Sequence, residues 1–330
     1  MRILVTGGAG YVGSVSVEAL VAAGHDVVVL DNLSTGHRSA HLSGAELVEG
    51  TYTDRASVAR LLADRAIDAV LHCGARSLVG ESIREPALYF RENLAGGIEL
   101  FEAMRDAGVG RLVISSTAAV YGEPDDTPIP EDAPLRPINP YGETKRGFEA
   151  AANWYVRAYG FRVASLRYFN VGGASERNGE QHDPETHLIP NALSAAAGGP
   201  PLTLFGNDYP TPDGTPIRDY VHVVDLAAAH RLALEATAPG DPRSDSFLVC
   251  NLGSGQGFSV HEVLGVIERV LGRPVPLTVG ERRTGDPATL VAAIDRARDV
   301  LRWTPERSTL EHMVGSAWAW RGEGRRDPGG

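Results

Sequence analysis

A tyrosine and a lysine four residues apart, Tyr141 and Lys145, form the pair with the clearest chemical meaning in this sequence. On a helix, two residues at this spacing lie on the same face. A free tyrosine has a pKa of about 10, so its use as a base near neutral pH requires roughly 4 kcal/mol of phenolate stabilisation. A neighbouring ammonium supplies it through opposite charge. Such a pair also occurs by chance on helix surfaces, and its surroundings must distinguish the two interpretations.

Two observations favour a catalytic pair. The chain has 31 basic residues, and Lys145 is the only lysine among them. Burial can adjust the pKa of an ammonium but not that of a guanidinium, so the retained lysine indicates a position that arginine cannot fill. Upstream, a strand-like run ends in Ser115-Ser116-Thr117. We predict that Thr117 orients a substrate hydroxyl and shares its proton, that Tyr141 is the acid and base, and that Lys145 is the adjacent cation.

A glycine-rich turn, Gly7-Gly8-Ala9-Gly10-Tyr11-Val12-Gly13, connects the first predicted strand to the first predicted helix. Small residues there let the backbone approach a pyrophosphate, whose charge meets the helix N-terminus. Asp31 follows at the end of the second predicted strand, where its carboxylate would accept hydrogen bonds from ribose hydroxyls and repel a 2′-phosphate. The constellation predicts a bound dinucleotide, NAD in preference to NADP. An ordinary loop acid would explain Asp31 alone.

Strand and helix patterns alternate through the first half of the chain, which predicts a doubly wound α/β fold with a parallel Rossmann sheet. The predicted strands are Arg2–Thr6, Asp26–Leu30, Glu46–Val48, Ala69–Leu71, Leu112–Ser115, Arg162–Leu166 and, later, Phe247–Leu252. The predicted helices are Val12–Ala23, Arg55–Asp64, Pro86–Ala107, Tyr141–Tyr159, Val260–Leu271 and Arg296–Leu301.

After about Val171, glycine, proline, asparagine and aspartate become frequent among aromatic and charged residues, a texture typical of ordered loops beside a pocket. We predict an NAD-binding Rossmann domain over residues 1–170 with a return segment near 218–255. Residues 171–217 and 256–330 then form a smaller C-terminal α/β substrate domain. The tail from Arg321 to Gly330 is the only segment predicted to be disordered.

Composition excludes several classes of protein. The net charge is −11 and no basic run occurs, which argues against a nucleic-acid partner. The longest apolar runs are of strand length, and the N-terminus lacks a secretory pattern, so we expect a soluble cytoplasmic protein. The two cysteines, Cys73 and Cys250, lie in apolar strand-like runs and are predicted to be buried thiols. No metal site is predicted.

Over nearly its whole length the chain resembles the UDP-glucose 4-epimerase family of the extended short-chain dehydrogenases/reductases. The FGNDYPTPDGT…RDYVH stretch is the most specific part of the resemblance. The segments that carry it are TGGAGYVG, DNLSTG, VGES, ENLAGG, SSTAAVYGEP, NPYGETK, LRYFNVGGA, PETHLIP, FGNDYPTPDGTPIRDYVHVVDLA and RRTGDP.

The resemblance implies NAD-dependent 4-epimerisation of a UDP-hexose through a transient 4-keto sugar, with NAD regenerated in each cycle. It implies that NAD is held by Gly7, Gly10, Tyr11, Val12, Gly13, Asp31, Asn32, Ser34, Thr35, Gly36, Thr51, Tyr52, Cys73, Gly74, Ala75, Asn93, Ser115, Tyr141, Lys145 and Tyr168. It implies that the nucleotide sugar is held by Thr117, Tyr141, Asn170, His187, Leu188, Thr203, Phe205, Arg218, Tyr220, Arg283, Asp286 and Leu290.

Surface ion pairs, Arg218 with Asp219 and Arg283 with Asp286, are the alternative explanation for the charged residues of this second set. Relatives commonly dimerise through two long helices, which implies a homodimer formed by Pro86–Ala107 and Tyr141–Tyr159.

Two positions depart from the family pattern. Gly50 is followed by Thr51 where the family usually has an aspartate that meets adenine. Adenine is therefore expected to bind less well, or through the Tyr52 backbone and the region of Asp54. Leu290 is intermediate in size at a position that controls room for an N-acetyl group, so acetamido sugars stay open, as do dTDP in place of UDP and a pentose as the sugar.

Two related enzymes and one non-enzyme are alternatives. A nucleotide-sugar 4,6-dehydratase needs an acid and a base after the threonine, whereas Thr117 is followed by Ala118 and Ala119. A UDP-uronic acid decarboxylase would also need an acidic residue there. A catalytically silent NAD-sensing protein is disfavoured because it would not need the set Thr117, Tyr141 and Lys145.

Overall fold

The computed structural model describes residues 1–241, 245–283 and 286–324. Its largest element is a parallel sheet of seven strands in the order β10-β6-β5-β4-β1-β2-β3. These strands are β1 (Arg2–Thr6), β2 (Asp26–Asp31), β3 (Glu46–Glu49), β4 (Ala69–His72), β5 (Arg111–Thr117), β6 (Arg162–Tyr168) and β10 (Phe247–Leu252). The predicted doubly wound α/β fold is confirmed.

Helices cover both faces of this sheet, so its strands are buried on both sides. On one face pack α1 (Tyr11–Ala22), α8 (Val223–Ala236) and α10 (Asp295–Leu301). On the other face pack α2 (Arg55–Asp64), α5 (Gly96–Asp106) and α6 (Pro140–Tyr159), with α3 (Val79–Arg84) and α4 (Pro86–Tyr89) beside them. Each face has its own apolar core.

The strand order places the ligand crevice. The chain runs outward from β1 to β2 and β3, then returns to place β4 on the other side of β1. Ligands of such sheets bind beyond the carboxyl ends of the strands at this reversal. The glycine-rich turn follows β1, and Cys73 and Gly74 follow β4, so both connections lie at the mouth of the crevice.

A smaller unit closes the crevice from the other side. Its mixed sheet has the order β11-β9-β13, with β7 also paired to β9, and a second sheet pairs β12 with β8. The strands are β7 (Asn170–Gly172), β8 (Leu202–Phe205), β9 (Ile217–His222), β11 (Gly257–Ser259), β12 (Leu277–Gly280) and β13 (Thr289–Leu290). The helices α7 (Leu188–Ala196), α9 (Val260–Leu271) and α11 (Leu310–Gly324) share its core.

The elements divide between the two units with two differences from the predicted domain limits. Within 218–255, α8 and β10 pack on the large sheet, but β9 lies in the small sheet. Farther on, α10 and Trp303 join the core of the large sheet although they follow residue 256. The predicted division into two domains otherwise stays a prediction.

The predicted helix Pro86–Ala107 consists of α4, one wide π-helical segment (Phe90–Ala95) and α5. The predicted disordered tail begins at Arg321, but α11 continues to Gly324, and residues 325–330 lie outside the described part. Among the described residues, none of the helices has the length and apolar content needed to cross a bilayer.

Candidate active site

At two of its positions, Gly7 and Gly13, the glycine-rich turn is packed so closely that side chains do not fit. A methyl group at Gly13 would lie 2.1 Å from the Gly7 carbonyl oxygen, and one at Gly7, whose φ is +70°, would lie 2.5 Å from the Gly74 nitrogen. At Gly10 the space is open, because a methyl group would meet only the Gly7 oxygen at 3.4 Å. The first turn of α1, whose first backbone N–H groups have no partners within the helix, therefore borders the cleft, and Gly10 adds no side chain in front of it.

Asp31 connects the end of β2 to this turn. One carboxylate oxygen accepts from the Ala9 amide at 2.9 Å and the other from the Leu33 amide at 2.8 Å. A carboxylate has about four acceptor positions, so two are left for a ligand. A methyl group at Gly36 would lie 2.8 Å from the same carboxylate, which leaves the approach to it narrow.

Lys145 is buried beneath the cleft on α6, at 4% exposure. Its ammonium donates to the Ser115 carbonyl at 2.8 Å and lies 3.4 Å from the Ser115 hydroxyl. Burial lowers its pKa to about 8, while Cys73 and Glu149 act in the opposite direction. The lysine is therefore a positioned cation whose charge is sensitive to its surroundings.

Tyr141 lies one helical turn before Lys145, with its side chain partly buried at the cleft. Burial raises the pKa of its phenol, and a hydrogen bond with the Thr117 side chain lowers it. The two hydroxyls therefore lie side by side at the cleft, and the predicted role of Thr117 toward a substrate hydroxyl stays a prediction. Thr117 is held in turn by a hydrogen bond from the Ala119 amide at 3.2 Å.

A buried ion pair lies behind these residues. Glu149, one helical turn beyond Lys145, accepts from Nε and Nη2 of Arg167 at 3.1 and 2.7 Å and from the hydroxyls of Ser116 and Ser165 at 2.5 and 3.0 Å. Arg167 also donates to the Tyr121 hydroxyl at 2.8 Å. This network joins α6 to β5 and β6, the strands that carry the active-site hydroxyls.

The opposite wall of the cleft carries two arginines. Arg218 donates to Asp286 at 2.5 Å and to the carbonyls of Pro287 and Ile217 at 2.7 Å each. The Arg283 guanidinium lies 4.1 Å from the centre of the Phe205 ring. Two cations on this wall suit an anionic ligand such as a diphosphate.

Four side chains of the loop between β7 and α7 also face the cleft, and we call them the His/Glu cluster: Glu180, His182, Glu185 and His187. One Glu180 oxygen lies 2.6 Å from His187 Nδ1 and 3.0 Å from His182 Nδ1. The acidic partners outweigh burial and raise the pKa of His187 to about 10. The two histidines lower the pKa of Glu180 to about 2.

One cleft of about 1770 Å³ brings the predicted residues together. All of the predicted catalytic, cofactor and substrate residues line it except Asn93. The Asn93 amide is instead buried behind the wall, where it bonds both backbone groups of Arg76 at 2.8 and 2.9 Å and the Thr144 hydroxyl at 3.2 Å. It lies in the π-helical segment and supports the backbone of Arg76, which lines the cleft, while its predicted contact with the cofactor stays a prediction.

Asp54 caps α2 by accepting from the Ser57 amide at 3.1 Å and is not among the residues that line the cleft, whereas Tyr52 is. One expectation about the charged residues needs correction. Arg218 pairs with Asp286, not Asp219, because neighbouring residues of a strand point to opposite faces. Asp219 points inward, is fully buried and accepts backbone hydrogen bonds from residues 254, 255 and 292.

Sequence reasoning missed several residues of the cleft wall, including Glu180, His182 and Trp320. The spacing of the His/Glu cluster, Glu-x-His-x-x-Glu-x-His, was its only signal in the sequence. Trp320 gave no signal, because it comes from the last helix and reaches the cleft through contact with Gly179.

The chain is similar to known proteins over nearly its full length. A model of the NAD dependent epimerase/dehydratase family matches residues 3–250. A UDP-glucose 4-epimerase of Corynebacterium glutamicum is 49% identical over 321 residues, 97% of this chain and 95% of that protein.

Two solved structures of UDP-glucose 4-epimerases have the same fold. The one from Brucella ovis, in complex with NAD, has a TM-score of 0.92 and 43% identity and covers 96% of this chain and 97% of its own. The one from Bifidobacterium longum, in complex with NAD+ and UDP, has a TM-score of 0.93 and 33% identity, with 98% and 99% coverage.

Proposed function

Because the chain belongs to the NAD dependent epimerase/dehydratase family, we propose that it is a UDP-glucose 4-epimerase that interconverts UDP-glucose and UDP-galactose with NAD as its resident cofactor. The observation that carries the proposal is the meeting of Thr117, Tyr141 and Lys145 in the cleft that the glycine-rich turn also lines. At about 1770 Å³ the cleft exceeds the pocket of a single small ligand, which is about 300–1,000 Å³, and suits a dinucleotide with a nucleotide sugar.

The residues of the first half of the cleft fit NAD. The open space at Gly10 leaves the N-terminus of α1 available to a pyrophosphate. Asp31 keeps acceptor positions for ribose hydroxyls, and its negative charge opposes a 2′-phosphate. When bound, NAD would accept the hydride of sugar C4 and would later return this hydride to the opposite face of the sugar.

The residues of this chain move the proton. Tyr141 takes the proton of the sugar 4-hydroxyl, and Thr117 orients that hydroxyl. Burial alone works against the phenolate, so Tyr141 depends on positive charge beside it, of which Lys145 is the part built into the protein. Tyr141 returns the proton when the sugar is reduced again, so the protein ends each cycle unchanged and the reaction has no net redox change.

The residues of the loop half would hold the nucleotide. Arg218 and Arg283 supply paired donors for the diphosphate, and the arene of Phe205 lies beside Arg283. Arg218 is already paired with Asp286, so the diphosphate would bind a guanidinium that also holds this carboxylate. Leu290 lies next to Arg218 in the sheet register and lines the same wall.

The activity is tested by incubating the purified protein with UDP-galactose without added cofactor and following UDP-glucose by chromatography. We expect interconversion to a fixed ratio, together with NAD released on denaturation of the protein. If NAD is released but neither sugar is converted, the substrate is another nucleotide sugar, and UDP-N-acetylgalactosamine and dTDP-sugars are the next probes. Absence of both NAD and turnover would refute the proposal.

We also propose that the protein is a homodimer formed by the segments 86–107 and 141–159. Large apolar side chains stand exposed on them: Phe90 at 39%, Ile98 at 36% and Trp154 at 66%. Light scattering should give twice the mass of 35.1 kDa, and Trp154→Glu should shift the protein toward the monomer. A monomeric wild-type protein would contradict this.

Both cysteines are free, which supports a reducing, cytoplasmic location.

A further inference from the structure

The His/Glu cluster has the composition and spacing of a metal site. Each of its four residues offers one ligand atom, and these four atoms lie within 4.8 Å of one another. Two imidazoles and two carboxylates are a donor set that suits Zn²⁺ and similar divalent transition metals. A bound metal displaces the proton of His187, and two neutral imidazoles with two carboxylates then carry a charge of −2, which one divalent cation balances.

The distances within the cluster agree with this donor set. His187 Nδ1 lies 2.6 Å from Glu180 and 3.1 Å from Glu185, and His182 Nδ1 lies 3.0 Å from Glu180. Adjacent ligand atoms around a tetrahedral ion with bonds of about 2.05 Å are about 3.3 Å apart. The three distances given above differ from this value by about 0.2 to 0.7 Å, and no two of the four ligand atoms are more than 4.8 Å apart, so side-chain movements of about 1 Å would place all four around one ion. Both imidazoles already direct the same nitrogen, Nδ1, to one carboxylate oxygen.

The backbone on either side of the cluster is held in place. Asn178 donates to Glu18 and to the His41 carbonyl, and His37 Nε2 lies 2.7 Å from the Gln181 carbonyl. Gly179 packs against the indole of Trp320, where a methyl group would lie 2.5 Å from the ring. At the other end, His187 is the residue that begins α7. The ligand atoms are therefore presented by a fixed segment, as a metal site of useful affinity requires.

We propose that the His/Glu cluster is a structural site for one divalent transition-metal ion of the zinc class. The ion links the start of the loop to its end and so fixes the wall of the cleft beside α7. It lies outside the set Thr117, Tyr141 and Lys145 and takes no part in proton transfer. The inference does not depend on the proposed epimerase activity, because it concerns metal content and loop stability.

The test is a metal titration of the purified chain without a histidine tag. The protein is treated with EDTA, exchanged into metal-free buffer, incubated with Zn²⁺, desalted and measured for zinc by mass spectrometry. We expect one zinc per wild-type chain and none on His182→Ala or Glu180→Gln. His41→Ala is the matched control, because His41 contacts Arg177 of the same loop but lies outside the cluster.

Two further readouts report on the coordination and its effect. Co²⁺ in place of Zn²⁺ should give the visible d–d absorption of a tetrahedral site in the wild type and in His41→Ala, but not in Glu180→Gln. Zn²⁺ should raise the Tm of the wild type and slow its proteolysis within residues 173–187. It should do neither in the two cluster variants. Glu180→Gln keeps the volume and a hydrogen-bond acceptor, and it decides the question if His182→Ala does not fold.

Two outcomes would overturn the proposal. Failure of the wild type to retain zinc or to give a cobalt spectrum would show that the cluster is joined by hydrogen bonds only. Equal zinc on the wild type and both cluster variants would place the metal elsewhere. NAD retention and epimerase turnover are measured on the same samples, so loss of the metal site is distinguished from failure of the proposed function.

Discussion

One half of the cleft rests on the seven-stranded sheet, and the other consists of loops from distant parts of the chain. In the first, the catalytic half, Tyr141 and Lys145 project from a 20-residue helix whose register is fixed by buried hydrogen bonds. In the second, the loop half, segments 173–188, 203–205, 216–220 and 286–290 come together with Arg283, and charged pairs such as Arg218–Asp286 join them. The first half holds its chemical groups on a helix and strands, whereas the second presents charge and shape for a ligand from loops and short strands.

This difference predicts two kinds of mutational effect. Substitutions in the catalytic half should change kcat or the stability of the whole sheet. Substitutions in the loop half should change KM and leave the sheet intact. Four measurements test this separation, beginning with the largest expected effect.

Tyr141→Phe should lower kcat by about 10³, because it removes the proton-transfer group and nothing else from the cleft. The Tm and the amount of bound NAD should stay at their wild-type values. Tyr155→Phe is the matched control, since it lies on the same helix and its hydroxyl donates to Glu102 at 2.6 Å, far from the chemistry. A Tyr141→Phe protein with a kcat within tenfold of the wild type would exclude Tyr141 as the acid and base.

Glu149→Ala should lower the free energy of unfolding by about 3–5 kcal/mol, because it leaves the Arg167 guanidinium buried without its partner. Both side chains are only 5% exposed. Glu143→Ala on the same helix removes an exposed pair with Arg146 and should cost less than about 1 kcal/mol. Chemical denaturation measures both. Similar losses of unfolding free energy in the two variants would show that the catalytic half does not depend on the buried Glu149–Arg167 pair.

The contrast between the halves also explains what the sequence could predict. Tyr141, Lys145 and the glycine-rich turn have local spacings with a fixed meaning on a helix or at a strand end, so the pattern located them at the cleft. The strands of the parallel sheet were visible because burial on both faces gives continuous apolar runs. Even there the π-helical segment was not visible, and neither were the hydrogen bonds of Asn93 to the backbone of Arg76.

In the loop half the partners are set by contacts that no periodicity encodes. Arg218 finds Asp286 68 residues away because β13 aligns beside β9. The His/Glu cluster spans eight positions, but its convergence depends on the fold of an irregular loop whose support comes from Glu18 and Trp320. In the loop half, the spacing of residues in the sequence indicated candidate ligand-binding residues but not the side chains with which they pair.

Stability of the whole protein should fall in acid. Burial lowers the pKa of His72 and of His230 to about 3 each, and that of His222 to about 4, from 6.5. Their stabilisation is present above pH 6.5 and is lost as the pH falls toward these values, by about 1.4 kcal/mol per pH unit for each histidine. Asp219 acts in the opposite sense, because its pKa is raised from 3.8 to about 6 and its contribution is lost as pH rises through that range.

The net effect is a loss on acidification, because the large shifts of the three histidines outweigh the opposing shifts of Asp219, Glu131 and Asp225, whose pKa values burial raises. Denaturation curves at pH 7, 6 and 5 should show it in the wild type. In His72→Asn the slope should be lower by about 1.4 kcal/mol per pH unit, the contribution of one proton. An unchanged slope in this variant would mean that His72 is not held neutral by its burial beside Thr6.

Arg218→Lys should give the smallest of these effects, a rise in KM for UDP-galactose of about tenfold with kcat within twofold, which corresponds to about 1.4 kcal/mol. The arginine reaches Asp286 and two backbone carbonyls at once, and a lysine cannot reproduce this fork while also meeting a diphosphate. Arg282→Lys is the matched control, because Arg282 pairs with Asp208 outside the residues that line the cleft. Steady-state kinetics of the two variants give the comparison. If Arg218→Lys lowers kcat instead of raising KM, Arg218 helps to position the reacting sugar. The separation between the catalytic half and the loop half then does not hold at this residue.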